Sequence, residues 1–188
     1  MHYPALAATA LTVLACIAPA SAQIAPATPQ PLVYEDEALK FVPAPGYVRL
    51  QGPVPPKISD LEDLTPVAAW VKNARQDDQH TIIIAMEGFS GASLDEWESR
   101  AENEIRTNID GALVRDKHLE RLANGMSAIW IKVLFGEGFD AHVEYGYCVY
   151  DGLRGVFAAV SARVGELTPD QAKDELHGLT AVLHPGRS

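Results

Sequence analysis

Between residues 113 and 163 the side-chain pattern falls to a period of two, and turn-forming pairs interrupt it at three points. Nothing else in the chain constrains the fold as strongly. Asn124-Gly125, Gly136-Glu137-Gly138 and Asp151-Gly152 separate strand-like runs at 118–122, 127–135, 141–150 and 155–163. Asn124-Gly125 reads as a type I′ hairpin turn. Consecutive strands joined by short turns pair antiparallel, so the region predicts a four-strand meander.

The period changes to that of a helix on either side of the meander. Ser93-Leu94-Asp95-Glu96 is a capping box, in which the Ser93 hydroxyl accepts from the Glu96 amide and the Glu96 carboxylate accepts from the Ser93 amide. Leu94, Trp97, Ala101, Ile105 and Ile109 then recur at spacings of three and four, the mark of a long amphipathic helix. Thr168-Pro169-Asp170-Gln171 opens a second helix in the same way, with Ala172, Leu176, Leu179 and Leu183 on its apolar face. Thr65-Pro66 carries the hydroxyl and first-turn proline of a helix start, and Val67, Trp70, Val71 and Ala74 predict a short helix there. Residues 81–86 form an unbroken apolar, β-branched run, read as a strand buried on both faces, and 38–42 and 47–50 read as short extended pieces among prolines. Helices and sheet must bury their apolar faces together. The fold class expected is therefore α+β, an antiparallel meander packed with helices in an α/β/α sandwich.

The chain of 188 residues divides into three parts by composition. Residues 4–22 contain no charge and end on Ala20-Ser21-Ala22, which reads as a secretory signal peptide over 1–22 cut before Gln23. A Pro/Ala-rich linker follows over 23–36, then a single domain over 37–185. Val13-Leu14-Ala15-Cys16 offers a second route, since it partly matches a lipobox that would place a lipid anchor on Cys16. The expected location is periplasmic or secreted, with a membrane-tethered lipoprotein as the alternative and no transmembrane segment in the mature chain. Cleavage before Gln23 leaves Cys148 as the single cysteine, so the core holds without an internal disulfide. The net charge of −10, with no basic run, excludes a nucleic-acid-binding surface.

Three segments in this order, Phe41-Val-Pro-Ala-Pro-Gly-Tyr47, Ser93-Leu-Asp-Glu-Trp97 and Asn124-Gly-Met-Ser-Ala-Ile-Trp130, resemble the superfamily joining the photosystem II extrinsic protein PsbP, the Ran-binding Mog proteins and bacterial envelope proteins of the DcrB type. The resemblance covers about residues 38–184. It implies an antiparallel sheet flanked by helices and a non-enzymatic docking or adaptor role. It carries over no catalytic residue and no cofactor. The partner it implies is another protein of the cell envelope.

Two side-chain groups carry candidate chemistry. Asp140, His142 and Glu144 alternate on one strand and so share a face, where they would form a weak divalent-metal site with His118 of a neighbouring strand as a fourth ligand. Gly88-Phe89-Ser90-Gly91-Ala92 between a strand and a helix has the outline of a serine nucleophile elbow, with Asp140 or Asp151 and His184 in the chain order of a hydrolase. The solvated strand end and the glycine-rich loop are the plainer readings of these groups. Tyr145 and Tyr147 fall on the opposite face from Glu144, as core packing or as interface anchors, and Cys148 shares the Glu144 face.

Overall fold

The meander forms as β6 (Leu113–Arg121), β7 (Ser127–Phe135), β8 (His142–Tyr150) and β9 (Arg154–Arg163) in a computed structural model that describes residues 34–35, 40–50, 64–72, 79–88, 93–152 and 154–180. The sheet does not stop there. Strand β5 (His80–Gly88) pairs antiparallel with β9 from Thr81↔Ser161 to Gly88↔Arg154, β4 (Thr65–Lys72) pairs with β5, and the short β3 (Tyr47–Arg49) pairs with β4. The result is a seven-stranded antiparallel sheet in the order β3-β4-β5-β9-β8-β7-β6, beside a two-stranded ribbon of β1 (Tyr34–Glu35) and β2 (Lys40–Phe41).

This corrects the expected fold class. Instead of a balanced α+β sandwich, the chain is a mostly-β fold. Among the described residues its sheet carries only two short helices, α1 (Leu94–Asn108) and α2 (Pro169–Thr180). The difference lies largely at Thr65-Pro66, where a strand replaces the predicted helix. Pro66 sits at a register shift between Pro66 and Ala68, and β3 reaches only Trp70 to Lys72, so no ladder partner on that side needs the missing amide. The β-branched and aromatic content of 65–72 then favours a strand that β5 can template.

The first hairpin also differs from expectation. Gly125 takes φ +86°, whereas Asn124 keeps a negative φ. Leu122 N donates to Met126 O at 2.8 Å and Gly125 N to Leu122 O at 2.9 Å, which is a three-residue loop closed by a glycine bulge rather than a type I′ turn.

Each face of the sheet has its own core. On one, Ile82, Ile84, Met86, Trp130, Tyr145, Tyr147, Val156 and Val160 are buried with Ala172 and Leu176 of α2. On the other, Ile129, Ile131, Val133, Cys148, Phe157 and Ala159 are buried with Trp97, Ala101 and Ile105 of α1. Both helices start at the capping boxes read from the sequence: Ser93 Oγ accepts from Glu96 N at 3.2 Å, and Thr168 Oγ1 accepts from Gln171 N at 3.3 Å. Polar contacts fix α2 at two points. The Glu175 carboxylate accepts from Tyr47 Oη at 2.6 Å and Lys72 Nζ at 3.1 Å and lies 3.0 Å from His80 Nδ1, while Lys173 Nζ meets Glu120 and stands over the Trp130 ring.

One close approach helps to seat α1. Trp97 is fully buried, and its indole lies flat against the backbone of Gly155, where an added Cβ would fall 2.2 Å from the ring. Only glycine allows this approach. Gly155→Ala is expected to cost about 2 kcal/mol, as overpacking does, by forcing the indole off the sheet. Urea denaturation followed by tryptophan fluorescence measures it, as a lower midpoint with an unchanged slope.

Candidate functional site

Alternation along β8 sends Glu144 to the α1 side of the sheet, directly across from Val133 of β7 and Ser161 of β9. Thr81 of β5 lies next in the same row, so a short polar line, Thr81, Ser161 and Glu144, crosses the apolar face. Glu144 is 3% exposed and Ser161 6%. No hydrogen-bond or ion-pair partner among the described residues meets the Glu144 carboxyl.

Glu144 is one of the residues lining a recess at the flank of α1, with Leu64, Pro66, Ile83, Ala85, Ile105, Ile109 and Phe157. The wall is almost wholly apolar, and the room inside for water is about 20 Å³, enough for one ordered molecule. Burial in this setting pushes the Glu144 carboxyl up to about 7, because the charged form loses its hydration and gains no partner. A carboxyl of this kind can donate a hydrogen bond when protonated and pair with a cation when ionised.

The carboxylates of α1 on the β6 side differ, because a strand irregularity supplies their cation. Between Arg115 and His118 the β6 register shifts by one extra residue, and Asp116 takes φ 49°. The bulge turns Lys117 onto α1, where its ammonium reaches Glu98 Oε1 at 3.0 Å and Glu102 Oε2 at 2.5 Å. The Lys117 hydrogen bond holds the Glu102 carboxyl below its ordinary range. Glu144, deeper in the sheet, receives no such contact.

The same bulge decides the proposed metal set. It places His118 opposite Trp130, on the α2 face, so His118 is on the other side of the sheet from Glu144 and pairs with Glu120 at 2.7 Å. Asp140 lies exposed in the 3₁₀ turn Gly138–Asp140, outside the strand. His142 stays at the strand end, its ring stacked on Phe135 at 5.4 Å and its Nδ1 2.8 Å from the Asp140 carbonyl oxygen. Among the described residues no three His, Cys, Asp or Glu side chains converge on one point. Of the three candidates, the structure brings only Glu144 to a pocket.

Ser90 and His184 lie outside the described residues. Asp151 is engaged by Arg154, whose backbone N donates at 2.9 Å and whose Nε donates at 2.7 Å. Tyr145 and Tyr147 are buried beneath α2 rather than open as anchors, with Tyr147 Oη donating to Glu120 Oε2 at 3.2 Å. Cys148 is fully buried under α1, and burial, followed by the Glu98 charge, pushes its thiol up, which leaves no reactive thiolate. The recess itself was not foreseen. Its one trace in the sequence is a lone acid inside the otherwise uncharged run from Val143 to Tyr150.

No protein family and no curated protein matches the chain by sequence. Solved structures share its fold, two of them as follows. One is a Pseudomonas aeruginosa protein of unknown function, PA94, named as a candidate regulator, with a TM-score of 0.52, 8% identity, and coverage of 76% of this chain and 99% of that one. The other is LpqN of Mycobacterium tuberculosis, involved in cell envelope biogenesis, with a TM-score of 0.50, 14% identity, and coverage of 77% of this chain and 83% of that one. At such identities the likeness is one of fold alone.

The raised Glu144 carboxyl has a consequence for stability. Its folded-state value near 7 exceeds the unfolded one, so the folded chain binds a proton that the unfolded chain releases. The associated stability is complete below the ordinary carboxyl range and is lost as pH rises through about 7. Glu144→Gln lacks this dependence. Chemical denaturation from about pH 4 to about pH 8 should therefore show the variant gaining on the wild type by about 3 kcal/mol.

Proposed function

We propose that the chain is an exported binding or adaptor protein of the cell envelope, of the PsbP/Mog-like kind, acting without catalysis. The observation that carries this reading is the recess beside α1: a small, almost wholly apolar hollow with the buried Glu144 among its lining residues. A hollow of this sort offers a partner area and one point of recognition. It offers no nucleophile with its base.

Three further features support the reading. The uncharged stretch over 4–22 is the address of an exported protein. One structure of similar fold belongs to a protein involved in cell envelope biogenesis. No helix among the described residues is long and apolar enough to cross a membrane, which fits a mature chain that is free in the periplasm or held by a lipid at Cys16. The acidic surface suits a protein partner rather than a nucleic acid.

The test is position-specific cross-linking in the native envelope. A photo-reactive residue at Thr65 or Asp110, beside the recess, is expected to capture one recurring envelope protein, and the same residue at Leu119, which is exposed on β6, is expected not to. Absence of any adduct at the recess positions, or the same adducts from all three, would contradict the proposal.

A further inference from the structure

We propose that Asn124 is a latent deamidation site, held closed by the loop between β6 and β7 and released when that hairpin opens. The modification is spontaneous, takes only water, and stands apart from the binding role.

The sequence supplies the reactive pair. Of the four asparagines, Asn73, Asn103, Asn108 and Asn124, only Asn124 is followed by glycine. Asparagine is chemically labile because the next backbone nitrogen can attack its side-chain amide, and a glycine there brings no Cβ to hinder the approach. The Gly125 nitrogen bonds to Asn124 Cγ and gives up its proton, the Cγ–Nδ2 bond breaks, and Nδ2 takes that proton and leaves as ammonia. The succinimide ring left behind adds one water. Opening at Cγ gives aspartate, and opening at the Asn124 main-chain carbonyl gives isoaspartate. One water enters and one ammonia leaves, with nothing oxidised or reduced.

The structure supplies the gate. The loop holds both reacting groups in hydrogen bonds that the attack has to break: Gly125 N donates to Leu122 O at 2.9 Å, and Asn124 Oδ1 accepts from Met126 N at 3.0 Å. Arg121 braces the loop, its Nη1 donating to Gly125 O at 2.9 Å. The gate also sits where the sheet opens most readily. Strand β6 is outermost, pairs with β7 alone, and has its ladder interrupted between Arg115 and His118. An edge hairpin opens at lower cost than the covered centre of a sheet.

The two products differ in what they leave behind. Leu122 is buried in the α2-side core and Met126 packs against it, so the loop ends are fixed in place. Isoaspartate adds one atom to the main chain between them and keeps the loop from closing in register. Aspartate retains an acceptor for Met126 N. Hairpin opening is thereby recorded in the chain as a permanent mark.

The natively processed chain is incubated at mildly alkaline pH, once folded and once unfolded in urea, then digested with trypsin, which releases Leu122 to Lys132 as one peptide, or His118 to Lys132 in an Arg121→Ala variant. Mass spectrometry reads the conversion as the mass difference between an amide and an acid, and chromatography against synthetic aspartyl and isoaspartyl peptides separates the products. The unfolded chain is expected to convert at Asn124 ahead of the other three asparagines, and the folded chain at least about tenfold more slowly. Arg121→Ala is expected to speed the folded chain a few-fold and leave the unfolded rate unchanged, with thermal melting to show that the variant is folded. Equal rates in the folded and unfolded wild type would overturn the proposal, as would unfolded conversion that favours another asparagine, or a folded Arg121→Ala rate equal to that of the wild type.

Discussion

Strand β9 is buried on both faces from Arg154 to Ala162, and that double burial sets the terms for the rest of the molecule. A strand apolar on both sides must lie inside a sheet that is covered on both sides. The chain has two described helices for this task, and each is assigned to one face by its own contacts. Helix α2 is drawn to the sheet by Ala172 and Leu176 and fixed laterally by Glu175 and Lys173. Helix α1 is seated by Trp97 on Gly155 and pulled toward β6 by Lys117.

The fifteen-residue helix packs mainly over β7, β8 and β9, and Leu64, Ile83 and Ala85 are buried with its Ile105 around a small hollow. Glu144 lies at the border of that hollow. Elsewhere in the molecule acids sunk into the structure are matched with cations: Glu175 with Lys72 and His80, Glu87 with Arg100, Glu98 with Lys117. Against this background Glu144 differs, as a buried acid with no such cation beside it among the described residues.

The sheet edges tell a complementary story. Strand β3 is only three residues long, and β6 carries a bulge and the charged run Arg115 to His118 along its outer side. Short, bulged and charged edges resist the addition of a foreign strand. The sheet edges thus offer little backbone for a foreign strand to pair with.

Much of the fold was legible from local rules. The meander and both capped helices follow from period, turn residues and caps, because those signals depend on neighbours within a few residues. Thr65-Pro66 misled because a helix start and a strand with an unpaired flank use the same residues, and only the distant pairing with β5 decides between them. His118 was assigned to the wrong face because one bulge at Asp116, invisible in the alternation, inverts everything after it. Glu144 was visible as a residue and hidden as a site. Its isolation depends on where α1 comes to rest, which no local pattern encodes. The central claim, that Glu144 is a buried carboxyl without a partner, is tested most directly by carbon-13 NMR titration of its side-chain carboxyl in the free protein. A midpoint near 7 agrees with the account; one at the ordinary glutamate value of about 4.3 would mean that the carboxyl is hydrated or paired, and would contradict it.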